Sequence, residues 1–158
     1  IVLASFALIV ISPIFLTLIV ILRFTGEGEV FYRQKRIGRE QKVFYVLKFA
    51  TMLKNSPLMD LGTITVKNDP RILPLGHFLR KTKINELPQL LNVLLGHMSL
   101  VGPRPLTKEN FSFYSLDVQK SISTVRPGLS GIGSIIFRNE EDLLANAPDK
   151  KIFYSNLE

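Results

Sequence analysis

The stretch NELPQLLNVLLGHMSLVGPRP, residues 85–105, combines a helix start, a carboxylate, a helix stop and a rigid arginine-bearing turn. Asn85 is a preferred N-cap residue, and Pro88 lies early enough in the first turn to lose no intrahelical hydrogen bond. Leucines then recur at helical spacing, and Gly96 suits the left-handed residue that ends many helices. The stretch therefore predicts a helix that begins at Asn85 and buries one face.

The amino end of this helix is a candidate site for phosphate, because unpaired N–H groups and the helix dipole favour an anion there. Two arginines flank this predicted helix in the sequence. Arg80 precedes the cap, and Arg104 follows the helix and is held between two prolines. A purely structural interpretation fits the same residues, with Asn85 as a cap and Glu86 as a charge that stabilises the helix dipole. Spacing alone leaves both interpretations open.

An apolar segment without charged residues occupies positions 1–22. As a helix it would extend about 33 Å, which matches the hydrocarbon core of a bilayer. Ser12 and Pro13 lie near its middle, where proline deletes a backbone hydrogen bond and the serine hydroxyl can satisfy the freed carbonyl. We expect a bent membrane helix, and the residues alone fit a helix that crosses the membrane as well as one that turns back.

Residues 23–158 have the length and composition of one small basic domain. The absence of cysteine excludes a disulfide scaffold and thiol chemistry. The net charge of +7 favours an anionic partner such as nucleic acid, anionic lipid or a phosphorylated ligand. Cations gathered around a helix terminus, rather than interleaved with aromatic residues, argue against nucleic acid. Lys and Arg directly after the apolar segment predict that this side faces the cytoplasm.

The patterns within this domain predict short strands and helices. Thr107 is expected to cap a helix that runs to about residue 123, whose apolar stripe fits either the core or the membrane surface. The other predicted elements are a β-hairpin at 30–52, a strand at 63–66, a short helix at 76–83 that carries Arg80, a loop at 126–133, a strand at 134–137 and a helix from Asn139.

Six short motifs are spread along the chain: KFATM at 48–52, NDPR at 68–71, LRKT at 79–82, NELPQLLNV at 85–93, MSLVGPRP at 98–105 and RPGLSG at 126–131. Together and in this order they resemble the bacterial sugar transferases, and more closely the monotopic phosphoglycosyl transferases that begin glycan assembly on polyprenol phosphate. The resemblance implies a helix-rich α+β fold. In it, Ser12 and Pro13 break a re-entrant membrane helix, and a small cytosolic domain with short strands and interfacial helices follows.

The resemblance also implies a reaction and a location. A UDP-sugar would donate its phosphosugar to polyprenol (undecaprenyl) phosphate and release UMP, with Mg²⁺ as the cofactor. In the family, the Asp of a neighbouring Asp-Glu pair forms a covalent phosphosugar intermediate. The expected location is the cytoplasmic face of the bacterial inner membrane, in contact with membrane lipid. The expected pathway is the synthesis of capsule, O-antigen, exopolysaccharide or glycoprotein.

By resemblance, Glu86 is assigned to catalysis and to magnesium, and Asn85 occupies the position of the family's Asp. Arginine suits a diphosphate because its planar group donates two parallel hydrogen bonds. From the residues alone, Asp69 and Arg71 also fit a local ion pair that shapes a turn. The residues assigned to phosphate and substrate binding are Asp69, Arg71, Arg80, Arg104 and Arg126.

Asn85 is the main departure from the family, because a neutral amide is a poor nucleophile and a weaker magnesium ligand than a carboxylate. Three explanations stay open. Glu86 acts as nucleophile or base, the transfer is direct, or the protein is inactive and binds the same ligands or scaffolds glycan assembly. Two further departures are Ala50, where an arginine is expected, and GEGEV at 26–30. We also expect native sequence beyond both ends of the chain.

Overall fold

A computed structural model of the protein describes residues 1–59 and 69–132. These residues form helices and two small two-stranded sheets, the α+β class that was predicted. The elements predicted at 63–66, at 134–137 and from Asn139 lie outside the described residues. The helices are α1 (Val2–Phe24), α2 (Pro74–Lys81), α3 (Gln89–Leu94), α4 (Lys108–Ser112) and α5 (Leu116–Ser123), and the strands are β1 (Phe31–Ile37), β2 (Val43–Phe49), β3 (Ser99–Val101) and β4 (Gly128–Ser130).

The chain divides into two compact units. The first unit comprises Ile1–Arg33 and Leu47–Leu94, and the second comprises Gln34–Val46 and Leu95–Glu158. The predicted β-hairpin is confirmed, since β1 pairs with β2. The predicted division into a membrane segment at 1–22 and one domain at 23–158 stays a prediction.

Helix α1 is continuous over 23 residues and contains Pro13. Proline lacks the N–H that would bond to the carbonyl of Ile9, and the hydroxyl of Ser12 donates to this same carbonyl at 2.8 Å. The hydroxyl of Thr17 donates to the carbonyl of Pro13 at 2.8 Å. The predicted compensation by Ser12 is therefore confirmed. The predicted break does not interrupt the helix, because the lost hydrogen bond is replaced locally.

The core of the first unit forms where the second half of α1 packs against β2 and α2. The ring of Phe15 lies 5.0 Å from that of Phe49, centroid to centroid, and adds an aromatic contact to this core. The first half of α1 is mostly exposed although it is strongly apolar, and the whole helix is long and apolar enough to cross a membrane. The buried core residues are Leu18, Leu22, Phe49 and Leu79.

In the second unit, β3 and β4 pair in parallel, with Ser99 opposite Gly128 and Val101 opposite Ser130. The prediction of a loop at 126–133 is therefore wrong over β4. The two backbones approach closely here, and a Cβ atom on Gly128 would lie 2.2 Å from the nitrogen of Gly102. Glycine is required at this position because the neighbouring backbone has no room to move.

The helix predicted from Thr107 begins as expected. The hydroxyl of Thr107 accepts a hydrogen bond from the N–H of Asn110 at 3.1 Å, so the predicted cap is confirmed. The prediction of one helix as far as residue 123 is wrong, because the chain forms α4 and then α5. Ser115, a residue type that favours N-cap positions, has an extended ψ of 155° and starts the second helix.

Candidate functional site

Asn85 lies inside a single 3₁₀ turn, Ile84–Glu86, and α3 begins only after this turn. The predicted helix start at Asn85 is therefore wrong. Pro88 supplies the reason, because it has no N–H to bond with the carbonyl four residues before it. That carbonyl, of Ile84, instead accepts from the N–H of Leu87 at 3.1 Å, which is the tighter 3₁₀ pattern. Asn85 is consequently a packed residue rather than a cap.

Glu86 is held at both of its carboxylate oxygens. Its Oε1 lies 3.2 Å from the Nζ of Lys48, and its Oε2 accepts from the Nε2 of Gln89 at 3.1 Å. The side chains of Lys48 and Glu86 are 23% and 30% exposed, so the ion pair is largely enclosed but still reaches the surface. Salt screens such a pair less than it screens a fully exposed one. The site therefore offers an oriented carboxylate with an adjacent cation.

Asn85, which directly precedes Glu86 in the sequence, is buried, with 5% of the residue exposed. Within residues 1–59 and 69–132, its Oδ1 has no hydrogen-bond partner. A buried acceptor left unsatisfied costs about 1–3 kcal/mol. The turn thus contains an unsatisfied oxygen acceptor, which lowers its stability.

Two buried amides of α3 contribute to the same site, and sequence reasoning missed both. Gln89 reaches Glu86, and Asn92 accepts a hydrogen bond through Oδ1 from the N–H of Leu47 at 2.9 Å. This second bond fixes β2 against α3 immediately before Lys48. Lys48 was also missed, although it opens the KFATM motif. A detectable signal was the placement of amides four and seven residues after Asn85, which puts them on one helix face among leucines.

Arg80 lies on α2, the short helix predicted to carry it. It is half-buried, and its Nη1 is 3.9 Å from the sulfur of Met52. Helix α2 packs against the turn Ile84–Glu86, so Arg80 and Glu86 belong to adjoining elements of the first unit. The predicted contact between Arg80 and a diphosphate stays a prediction.

Asp69 and Arg71 form a buried two-point ion pair. The Nε of Arg71 donates to Oδ1 of Asp69 at 2.9 Å, and its Nη2 donates to Oδ2 at 2.7 Å. Its Nη1 donates to the carbonyl of Ser56 at 2.8 Å. The hydrogen bonds to Asp69 raise the pKa of Arg71 against the opposing effect of burial. The local ion-pair interpretation is therefore confirmed, and a role of this pair in substrate binding stays a prediction.

Arg104 and Arg126 belong to the second unit, and both are exposed. Arg104 follows β3 between two prolines, and Arg126 immediately precedes the segment that becomes β4. The Nη2 of Arg126 approaches Gly96, since a Cβ atom placed on that glycine would lie 4.0 Å away. Gly96 has the predicted positive φ, at 75°. The assignment of both arginines to phosphate binding stays a prediction.

The donors at the turn suit magnesium bound chiefly through a substrate. In the described ranges, no group of three or more His, Asp or Glu side chains is arranged to enclose a metal ion. Mg²⁺ commonly takes only one or two carboxylates from the protein and completes its shell with phosphate oxygens and water. The carboxylate of Glu86 fits this mode of binding.

Comparison with known proteins gives the family. The family described as "Bacterial sugar transferase" matches residues 1–155. The chain therefore belongs to the bacterial sugar transferases, and the resemblance seen in the six motifs is confirmed.

Individual relatives agree with this assignment. The chain is 37% identical over 151 residues to "Exopolysaccharide production protein ExoY" of Rhizobium meliloti (strain 1021), covering 87% of this chain and 66% of that protein. It is 38% identical over 162 residues to "UDP-glucose:undecaprenyl-phosphate glucose-1-phosphate transferase" of Klebsiella pneumoniae, covering 99% and 34%. It is 40% identical over 129 residues to "Undecaprenyl-phosphate galactose phosphotransferase" of Salmonella typhimurium, covering 73% and 27%. The chain thus spans 66% or less of the length of each of these relatives.

The buried ion pair predicts a large effect of the substitution Asp69→Asn on stability. Removing one charge leaves the guanidinium of Arg71 uncompensated, and we expect the free energy of unfolding to fall by about 3–5 kcal/mol. Denaturant unfolding in detergent measures the loss.

The matched control is Glu29→Gln, which removes the exposed ion pair between Glu29 and Lys54, 2.7 Å apart. We expect its unfolding midpoint to stay close to that of the original protein, because exposed pairs stabilise little. Equal midpoints for the two variants would contradict a structural role for the Asp69–Arg71 pair.

Proposed function

We propose that the chain carries the catalytic part of a phosphoglycosyl transferase, which moves a phosphosugar from a UDP-sugar to undecaprenyl phosphate and releases UMP. The observation that supports this most directly is the oriented carboxylate of Glu86, held by Lys48 and Gln89. Membership of the sugar transferase family and the names of two relatives support the same substrates. The reaction would be a first membrane step of bacterial glycan synthesis.

The two halves of α1 have different surroundings. Leu18 and Leu22 pack in the core of the first unit. The residues before Phe15 are apolar and mostly exposed, Ala4 excepted. Pro13 removes one backbone hydrogen bond of the helix, which allows a bend at this point. We propose a helix that enters and leaves by the cytoplasmic leaflet, with its bend at Ser12 and Pro13.

The proposed chemistry uses Glu86 in one of two ways. As a nucleophile, its carboxylate attacks the sugar-linked phosphorus, the bond to UMP breaks, and UMP leaves with the electron pair. An oxygen of undecaprenyl phosphate then attacks the same phosphorus and frees Glu86. In a direct transfer that lipid oxygen displaces UMP itself, and Glu86 orients the reacting groups.

Cations and oxygen donors around Glu86 would serve either route. Lys48 and Arg80, both in the first unit, would offset charge on the phosphates. Glu86 would hold Mg²⁺, which would supply further neutralisation of phosphate charge.

An alternative function rests on Asn85. The amide stands where the family has an Asp nucleophile, and it cannot form the covalent intermediate. A protein with the same binding residues and no turnover would bind UDP-sugar and undecaprenyl phosphate or scaffold glycan assembly.

We predict that the protein, with Mg²⁺ and undecaprenyl phosphate, releases UMP from at least one sugar in a panel of UDP-sugars. Sustained release should stop when undecaprenyl phosphate is omitted; a covalent route would then give at most one UMP per protein molecule, and a direct transfer none. Removal of the metal by EDTA should stop release by either route. Glu86→Gln should abolish release, because the oriented carboxylate is lost. If no sugar supports release while Asn85→Asp restores it, the inactive alternative is correct.

Lys48→Met should lower kcat for UMP release by about 100-fold, because it removes the cation that holds Glu86. The control is Lys54→Met, which removes a lysine of the same unit that pairs with Glu29 instead. Steady-state kinetics of both variants test the proposal. Comparable rates for Lys48→Met and Lys54→Met would remove Lys48 from the reaction.

The absence of native cysteine allows a direct test of the membrane path, since single cysteines can be introduced without background. We expect Leu3→Cys and Thr25→Cys to react with an impermeant maleimide in inside-out vesicles, and neither to react in intact spheroplasts. A helix that crosses the membrane would expose the cysteine at position 3 to the reagent outside spheroplasts.

A further inference from the structure

Gln89 and Asn92 are amides in the interior of the first unit, with 3% and 1% of each residue exposed. Burying an amide is unfavourable unless it forms hydrogen bonds. Both form hydrogen bonds near the ion pair of Lys48 and Glu86. Gln89 donates to Glu86, and Asn92 accepts from the backbone N–H of Leu47. The residue after Leu47 is Lys48, the ionic partner of Glu86. Gln89 therefore contacts the carboxylate of Glu86 directly, and Asn92 holds the strand that carries its ionic partner.

A carboxylate bonded only by a lysine is poorly defined in orientation. The last torsion of a glutamate is broad, and the ammonium of Lys48 ends a flexible chain. The bond from Gln89 to Oε2, at 3.1 Å, adds a second fixed point. Because the residue is almost completely buried, its own amide is held by packing. Two contacts on separate oxygens then determine the plane of the carboxylate.

We propose that Gln89 is a positioning residue, which acts on the reaction through Glu86 and does not itself touch the substrate. Asn92 assists by holding β2, and hence Lys48, in register with α3. This proposal rests on the proposed transferase function. Preorganised groups of this kind contribute to rate rather than to substrate affinity, since a displacement of about 1 Å at the reacting group costs about 100-fold.

Gln89→Met tests the proposal, because methionine nearly preserves the shape of glutamine and lacks the donor. We expect kcat for UMP release to fall about 10- to 100-fold, while KM for the UDP-sugar changes less than about threefold. The melting temperature should stay close to that of the original protein. Gln119→Met is the matched control, since the amide of Gln119 donates to the carbonyl of Tyr114 at 2.8 Å, and its kcat should be unchanged.

A second measurement follows Glu86 without any turnover. In protein labelled with carboxyl-¹³C glutamate, the Glu86 resonance is identified by its loss in Glu86→Gln. We expect this resonance to shift or broaden in Gln89→Met and to stay in place in Gln119→Met. An unchanged resonance overturns the proposal even if activity falls, because the loss then reflects folding.

The outcomes separate the two proposals. If the original protein releases no UMP from any sugar, the transferase function fails, and the resonance alone decides whether Gln89 orients Glu86. If the original protein turns over and Gln89→Met keeps its kcat, the positioning role is overturned while the function stands.

Discussion

The ion pair between Lys48 and Glu86 is the interaction on which the candidate site depends. The two residues are 38 positions apart in the chain, and they meet where β2 approaches the turn Ile84–Glu86 that precedes α3. The hydrogen bond from the backbone of Leu47 to Asn92 fixes β2 against α3 one residue before the lysine. A slip of one residue along β2 would turn Lys48 to the opposite face of the strand. The position of Lys48 next to Glu86 therefore depends on the register of this strand.

The same unit joins the site to the apolar helix. Leu18 and Leu22 of α1 share a core with Leu79 of α2, the helix that carries Arg80. The second half of α1 is buried in the protein, while its first half leaves apolar side chains exposed. Under the proposed function, insertion of this exposed half in lipid would hold the unit at the membrane surface, where a water-soluble donor can meet a lipid acceptor.

Asn85 bears on the proposed chemistry, because it stands where the family resemblance leads us to expect an Asp. An amide keeps a carbonyl oxygen where a carboxylate would stand, and it removes the negative charge. In this protein that oxygen is buried and has no hydrogen-bond partner among the described residues, so it is held against the preference for satisfied polar groups. A position that served only the fold would favour an apolar or fully bonded side chain. The turn therefore retains this amide at a cost in stability.

The sequence by itself determined the elements that depend on local chemistry. The apolar composition of α1, the compensation of Pro13 by Ser12, the cap at Thr107 and the left-handed Gly96 follow from neighbouring residues, and the motifs identified the family. Tertiary structure decided what distant segments do to one another. It paired β4 with β3 and brought Lys48 to Glu86. Local patterns carry no information on these contacts, because they arise when separate segments bury their surfaces together.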